Sequence, residues 1–266
     1  MSGDRFRGPA TAGQMADRWS GVLIWGALAA LLLASTRGAE LGKITELVNG
    51  GQNMRQFGAE FIRPNFSDLP HDFAEMWITI QMALWGTTLA VLLAIPLGVL
   101  GAKNVAPIWV VQPVRRVMDI LRSVPDLVVG AIFVVAIGPG PFAGVMALTV
   151  NTGGVLGKLF SEAVEVIDRA PVEAIRATGA SPIHEIVWGV IPQVAPLWTS
   201  YALYRFESNA RSATVLSLIG AGGIGQPLFD SINSFAFDQT SAIIIVILVS
   251  VTGIDLISQI IRARLA

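Results

Sequence analysis

The sequence predicts an all-α polytopic membrane protein with about six transmembrane helices and one polar helical knob between two of them. Three observations carry that expectation. Of 266 residues, 53% are hydrophobic and only 14% charged, with a mean hydropathy of +0.63; a soluble domain carries nearer a quarter charged residues. The apolar residues gather in runs of about 20, the length a helix needs to cross ~30 Å of hydrocarbon. Lys and Arg are absent from the outer segments 138–141 and 220–239, and in the long outer stretch 36–74 Arg37, Lys43, Arg55 and Arg63 are accompanied by acids, a pattern that fits the positive-inside rule.

Residues 1–18 are polar and carry Arg5, Arg7 and Arg18, and read as a cytoplasmic tail before a single transmembrane domain over 19–266. The first run covers 19–34. A basic start and a short apolar core also describe a cleaved leader, but Trp19 and Trp25 suit an interfacial anchor and favour an uncleaved span. Residues 36–74 form the longest hydrophilic stretch. There Leu47, Met54, Phe57 and Phe61 recur every three to four positions, which fits an amphipathic helix on the outer surface or a solvated loop.

The second span covers 76–100, with Pro96 expected to kink it. Lys103, Arg115, Arg116 and Arg122 make 101–123 basic. The third span covers 124–137 and is expected to begin on the amphipathic helix of Asp119 and Arg122. Gly138-Pro139-Gly140-Pro141 reads as a tight turn. In the fourth span, 142–160, Asn151, Thr152, Gly153, Gly154 and Gly157 let helices approach closely. A polar stretch, 161–192, separates it from the fifth span, which runs to 219. A polar outer segment to 239 and a sixth span, 240–261, complete the chain before Arg262 and Arg264. This layout puts both termini and Ser181 inside, and Ser231 outside.

Net charge is −1 and cysteine is absent, so nothing points to nucleic acid, and disulfides and thiolate chemistry are excluded. His71 and His184 stand far apart outside any H-E-x-x-H context, and no metal site is expected.

The polar stretch contains EAIRATGASPIHEIVWGVIP from Glu173 to Pro192. Pro171 suits the first turn of a helix, and Glu173 is placed in that turn, where a carboxylate favours the dipole. Gly179 can end the helix in the left-handed conformation, where a side chain is expected to clash. Ser181 and Pro182 then read as the cap and first residue of a second helix.

This stretch resembles the EAA loop of ABC importer permeases. Glu173, Ala174, Gly179 and Pro192 keep that pattern's spacing, while Ile175, Gly189 and Ile191 depart from it. The resemblance implies that Glu173, Ala174, Arg176, Gly179, Ala180, Ser181, Pro182 and Pro192 couple to a separate ATPase. The runs VEAIRATGASP, YRFESNARSATVLSLIGAGGIG and GPGPFAGVMAL narrow the likeness to the permeases of phosphonate-type ABC importers; the N-terminal third carries little of it. That implies import of phosphonate, or of phosphate or phosphite, through the bacterial cytoplasmic membrane. It also implies a second permease copy, two ATPase subunits carrying ATP and Mg, and an extracytoplasmic substrate-binding protein. A methionine-type or other small-solute permease is the alternative, and a polytopic membrane enzyme a more distant one. No P-loop is present: the glycines at 220–225 follow no predicted strand and lack the Lys-Ser/Thr. This chain is therefore expected to bind no cofactor itself.

The fifth span carries Arg205, Glu207, Asn209, Arg211 and Ser212. Charges at membrane depth cost about 2.5–3.5 kcal/mol each on insertion scales and avoid lipid. Glu207 and Arg211, four apart, are expected to pair. Arg205, Asn209 and Ser212 fall on the other face, where a guanidinium free of acids would meet an oxyanion in the substrate pathway; the alternative is that Arg205 snorkels or that the whole cluster holds helices together. Gly220, Gly222, Gly223 and Gly225 are expected to form a bend that serves as gate or hinge.

Overall fold

The computed structural model describes residues 12–43, 46, 50, 55, 58, 59 and 61–265. The chain divides into two compact units, Met1–Ala59 and Glu60–Ala266. In the first, α1 (Ala12–Gly38) extends past the expected run at both ends and is followed by a 3-10 turn, Leu41–Lys43. Leu23, Ile24, Trp25, Leu31, Leu32 and Leu33 are all exposed along it, as a lipid-facing helix would have them. The expected pattern of Leu47, Met54 and Phe57 lies outside the described residues, as do the arginines at 5 and 7.

The second unit contains α2 (Leu69–Gly101), α3 (Ile108–Ser123), α4 (Asp126–Ile137), α5 (Pro141–Glu165) and α6 (Arg169–Ala177). After α6, a short helical turn, Pro182–His184, passes through a π-helical segment, Glu185–Val190, into α7 (Ile191–Leu216). The last two helices are α8 (Gly225–Asn233) and α9 (Phe237–Leu265). Among the described residues, α2, α5 and α9 are long and apolar enough to cross a membrane. The helix α7 is 26 residues long and less apolar, because it holds the charged residues of the fifth span.

Helices α2 and α5 form the centre of the unit, and small residues set their separation. A Cβ on Gly86 would lie 2.7 Å from Leu148, one on Gly98 2.5 Å from Phe160, and one on Gly153 2.8 Å from Leu93. Without hydrophobic drive between helices in lipid, such close backbone approach supplies the packing attraction. At one end Phe160 stacks on Trp198, with ring centroids 4.5 Å apart, among Ala90, Ala94, Leu156 and Val194. At the other end Met82, Val129, Leu148 and Leu216 close the core. Pro96 lies inside α2, which runs through it as one helix.

The third span departs from its expected form. Helices α3 and α4 meet at 86° instead of forming one rod. Pro125 forces the residue before it out of the helical region, and Val124 sits at φ −91°, ψ 126°. With 12 residues, α4 is only about 18 Å long, and α3 lies across its end. The segment after the fifth span also holds more structure than expected, in α8. The turn before α5 has the expected backbone: Gly138 and Gly140 have φ of 92° and 143°.

At Gly225, α8 starts so close to α7 that a Cβ would strike the Thr214 carbonyl oxygen. Gly225→Ala is expected to destabilise the purified protein by about 1–3 kcal/mol through overpacking. Gly253→Ala, in open space on α9, is expected not to lower stability at all. Thermal unfolding in detergent compares the two, and equal midpoints would contradict the packing described for α7 and α8.

Candidate coupling and translocation site

The polar knob is built from local signals and then locked by long-range ones. Asp168, not Glu173, caps α6: its Oδ1 accepts the Ala170 N–H at 3.0 Å. Pro171 sits in the first turn, but Glu173 is one turn further on, so the expected dipole role falls to Asp168. Gly179 has φ 80° and follows the end of α6, its N–H bonding the Arg176 carbonyl at 3.0 Å. A Cβ there would meet nothing within 4 Å. The constraint on Gly179 is therefore the left-handed backbone itself, and no clash is involved.

Ser181 precedes Pro182 as expected but makes no side-chain cap; its Oγ lies 2.7 Å from His184 Nδ1. From there the chain continues into α7 without a break. The π-helical segment absorbs Pro192, which has no N–H to give, and the Ile191 N–H bonds back to the Ile186 carbonyl. Val172 and Ile175 of α6 close over Gly189, where a Cβ would lie 3.1 Å from Val172.

Two side-chain clamps complete the knob. The Arg176 guanidinium makes a two-pronged bond to Glu185, from Nε to Oε1 at 3.0 Å and Nη2 to Oε2 at 2.7 Å. Gln193, which sequence reasoning did not single out, gives and accepts with the Asp168 backbone at 3.2 and 3.1 Å, and donates to the Gly189 carbonyl at 2.6 Å. Glu173, Ala174, Arg176, Ser181 and Pro182 all remain exposed on the outer surface of the knob, with Ala180 partly buried. Ile183 and Trp188, 71% and 68% exposed, add large apolar side chains to that surface.

The glycine turn at the far end of α7 is pinned. Gly220, Gly222 and Gly223 have φ of 90°, 73° and 92°, which other residues rarely adopt. Glu75 Oε2 accepts the Gly223 N–H at 3.1 Å, and Thr79 Oγ1 the Ile224 N–H at 2.9 Å. The Gly140 N–H bonds the Gly220 carbonyl at 2.9 Å, tying the turn to the start of α5.

Midway along α7, Asn209 is completely buried. Its Nδ2 donates to Thr87 Oγ1 of α2 at 2.8 Å, and its Oδ1 accepts from Thr152 Oγ1 of α5 at 2.9 Å. Thr152 in turn accepts from Arg205 Nη2 at 3.1 Å. The chain Thr87–Asn209–Thr152–Arg205 thus joins three helices and aims the guanidinium. Arg205 Nε is buried without a hydrogen-bond partner, as is Asp126 Oδ1 at the start of α4. Ser212, expected beside Arg205 and Asn209, shares no hydrogen bond with them among the described residues.

The expected Glu207–Arg211 pair does not form. Glu207 Oε1 lies 2.7 Å from Arg262 Nη1, and Arg211 Nη1 3.5 Å from Asp255 Oδ1. Both partners belong to α9, which runs antiparallel along α7 and offers charges across the interface. Helical neighbours lose to them because Glu207 points inward, 7% exposed, while the Arg211 side chain is 50% exposed.

The helical fold is that of an ABC importer permease. It matches a chain of the inward-facing MetNI methionine ABC transporter with a TM-score of 0.65 at 20% identity, over 73% of this chain and 95% of that one. Residues 94–266 match the family described as binding-protein-dependent transport system inner membrane component. Over 82% of its length the chain is 40% identical to the phosphite transport system permease protein PtxC of Stutzerimonas stutzeri, covering 80% of that protein. It is 38% identical to the phosphate-import permease protein PhnE of Mycolicibacterium smegmatis, spanning 82% of this chain and 41% of that one. The chain belongs to the binding-protein-dependent transport system inner membrane components, among the permeases of phosphonate-type ABC importers. It is a multi-pass inner-membrane transport subunit and not an enzyme.

The interhelical pairing gives one prediction. Double-mutant cycles in detergent are expected to show coupling of about 0.5–3 kcal/mol between Glu207→Gln and Arg262→Gln, and none between Glu207→Gln and Arg211→Gln. The reverse ranking would contradict the α7–α9 contact. The knob gives a second. Its bond to Arg176 holds the Glu185 carboxyl below its ordinary range. A depressed value means the clamp contributes fully above the ordinary carboxylate range and is lost as pH falls through the folded value. Hydrogen exchange over 169–190, corrected for intrinsic rates, is expected to quicken in strong acid. Glu185→Gln should exchange fast already at neutral pH, with no further acid step; an acid step unchanged in that variant would contradict the clamp.

Proposed function

We propose that this chain forms the membrane path of an importer for a phosphorus oxyanion, taking phosphonate, phosphite or phosphate as the substrate class. Arg205 is the observation that carries the reading. It is a cation on a helix at membrane depth, aimed by Thr152, with donors left over and, among the described residues, no carboxylate hydrogen-bonded to it, the Asp126 carboxylate acting on it only through its charge. The relatives named for phosphite and phosphate transport give that cation an anion to meet. A guanidinium presents two parallel N–H groups to such oxygens, which an ammonium cannot do.

In this reading two copies of the chain enclose the path. The knob, with Glu173, Ala174, Arg176 and Gly179, docks on the cytoplasmic side into two ATPase subunits that bind ATP and Mg. A substrate-binding protein delivers the anion from outside, and the pinned glycine turn Gly220–Gly225 lies at that outer end. Both termini face the cytoplasm.

Uptake in cells whose only phosphorus importer contains this chain tests the role of Arg205. Arg205→Ala is expected to lower uptake at least about tenfold, the loss of one charged hydrogen-bond pair, with the complex still assembled. Arg205→Lys should rescue poorly. Wild-type uptake by Arg205→Ala would mean that the guanidinium only braces Thr152. Orientation is checked in this cysteine-free chain by labelling Asn233→Cys from outside and Ser181→Cys from inside. Ser231 is unsuited as the outer reporter because it is 5% exposed. Labelling of both sites from one side would contradict the orientation.

A further inference from the structure

We infer that the flank of α3 facing α5 holds the headgroup of an anionic phospholipid. Helix α3 stands at 86° to α4, so with α4 inserted it lies along the membrane plane. One face is buried: Val111 and Met118 are 1% and 0% exposed, and Met118 and Leu121 fill the space left by Gly154 and Gly157 of α5. The opposite face shows Trp109, Val117 and Ile120 at 74%, 47% and 65% exposure. A helix lying flat with an apolar outward face and an exposed Trp has the character of the membrane interface.

Between these two faces runs a polar flank spanning roughly 100° of the helix. It borders a groove of about 500 Å³ lined by Gln112, Pro113, Arg115, Arg116, Asp119 and Lys158. The cations there are not equally free. Arg115 is held by Glu165 at 2.6 Å and by the Gly101 carbonyl at 2.9 Å. Asp119 is engaged by Arg122 at 2.9 Å and reaches Arg116 only at 4.0 Å. The Arg116 side chain is 83% exposed. The ammonium of Lys158, partly buried on α5, has no hydrogen bond or ion pair among the described residues.

Lys158, a cation unpaired among the described residues, and Arg116, held only by a long ion pair to Asp119, therefore converge on one groove at the depth where headgroups lie, beside apolar side chains that suit acyl chains. A phosphodiester with a glycerol-sized headgroup complements this in charge and size. Each basic residue near a membrane surface strengthens anionic-lipid binding by about fivefold. A zwitterionic lipid brings its own cation and gains nothing there. A free phosphate would lack the apolar half of the contact.

Purified, delipidated permease is mixed in detergent with equal amounts of phosphatidylglycerol and phosphatidylcholine, and retained lipid is read by native mass spectrometry. The expected result is preferential retention of phosphatidylglycerol, lowered roughly fivefold by Arg116→Gln and by Lys158→Gln. Arg116→Lys should keep the preference, and millimolar inorganic phosphate should not displace the lipid. Arg116 is so exposed that its substitution leaves the fold intact, so the single variant stands as a test even if Lys158→Gln fails to fold. The proposal is overturned by equal retention of the two lipids, by an unchanged preference in Arg116→Gln, or by displacement with inorganic phosphate. It is equally overturned if bound ATPase subunits abolish lipid retention, since the groove would then belong to their docking surface.

Discussion

Asn209 is the point on which the second unit depends. A polar amide with no solvent exposure must find every partner inside the protein, because an unsatisfied group in hydrocarbon costs several kcal/mol. Asn209 finds them on two different helices, Thr87 of α2 and Thr152 of α5. Helix α7 therefore cannot rotate or slide against that pair without stranding the amide. Such interhelical bonds contribute only about 0.6–2 kcal/mol each, so their value lies in fixing register more than in stability. The glycines of α2 and α5 make that register reachable by bringing the backbones close. Once Asn209 is fixed, Arg205 one turn earlier has its direction set, and Thr152 holds it there.

The same helix carries the knob. From the short turn after Gly179, the chain enters α7 through the π-helical segment without an intervening loop, and Gln193 ties that junction to the start of α6. Force applied at the knob therefore enters a helix that holds Arg205 roughly 20 Å further along its axis. A π-helical insertion in such a place is a recurrent mark of functional helices. At the far end Glu75 and Thr79 hold the backbone of the glycine turn, so α7 is fixed at its end, at its middle and at its root.

How far the sequence could be read follows from which signals are local. The helix–Gly–helix pattern of the knob was legible because a Pro in a first turn and a left-handed Gly act on their own neighbours. The helices α2, α5 and α9 were legible from hydropathy alone, because each is long and apolar enough to cross a membrane. The break at Val124–Pro125 was a local signal that the apolar run 124–137 outweighed. Glu207 was given to Arg211 because four-residue spacing is visible in one helix, whereas Arg262 lies 55 positions on and becomes a neighbour only after α9 packs. Thr87 and Gln193 carried no signal, since their roles come wholly from contacts across the fold. For Gly179 the left-handed backbone was read correctly and the expected clash was not: the space around it is empty.

The most direct measurement of the central claim is a cryo-electron microscopy structure of the assembled importer trapped with phosphite in the path. The account predicts density for the anion within hydrogen-bonding distance of the Arg205 guanidinium, with the Thr87–Asn209–Thr152 bonds intact. Anion density elsewhere along the path, with Arg205 closed onto Asp126 in every state, would contradict it.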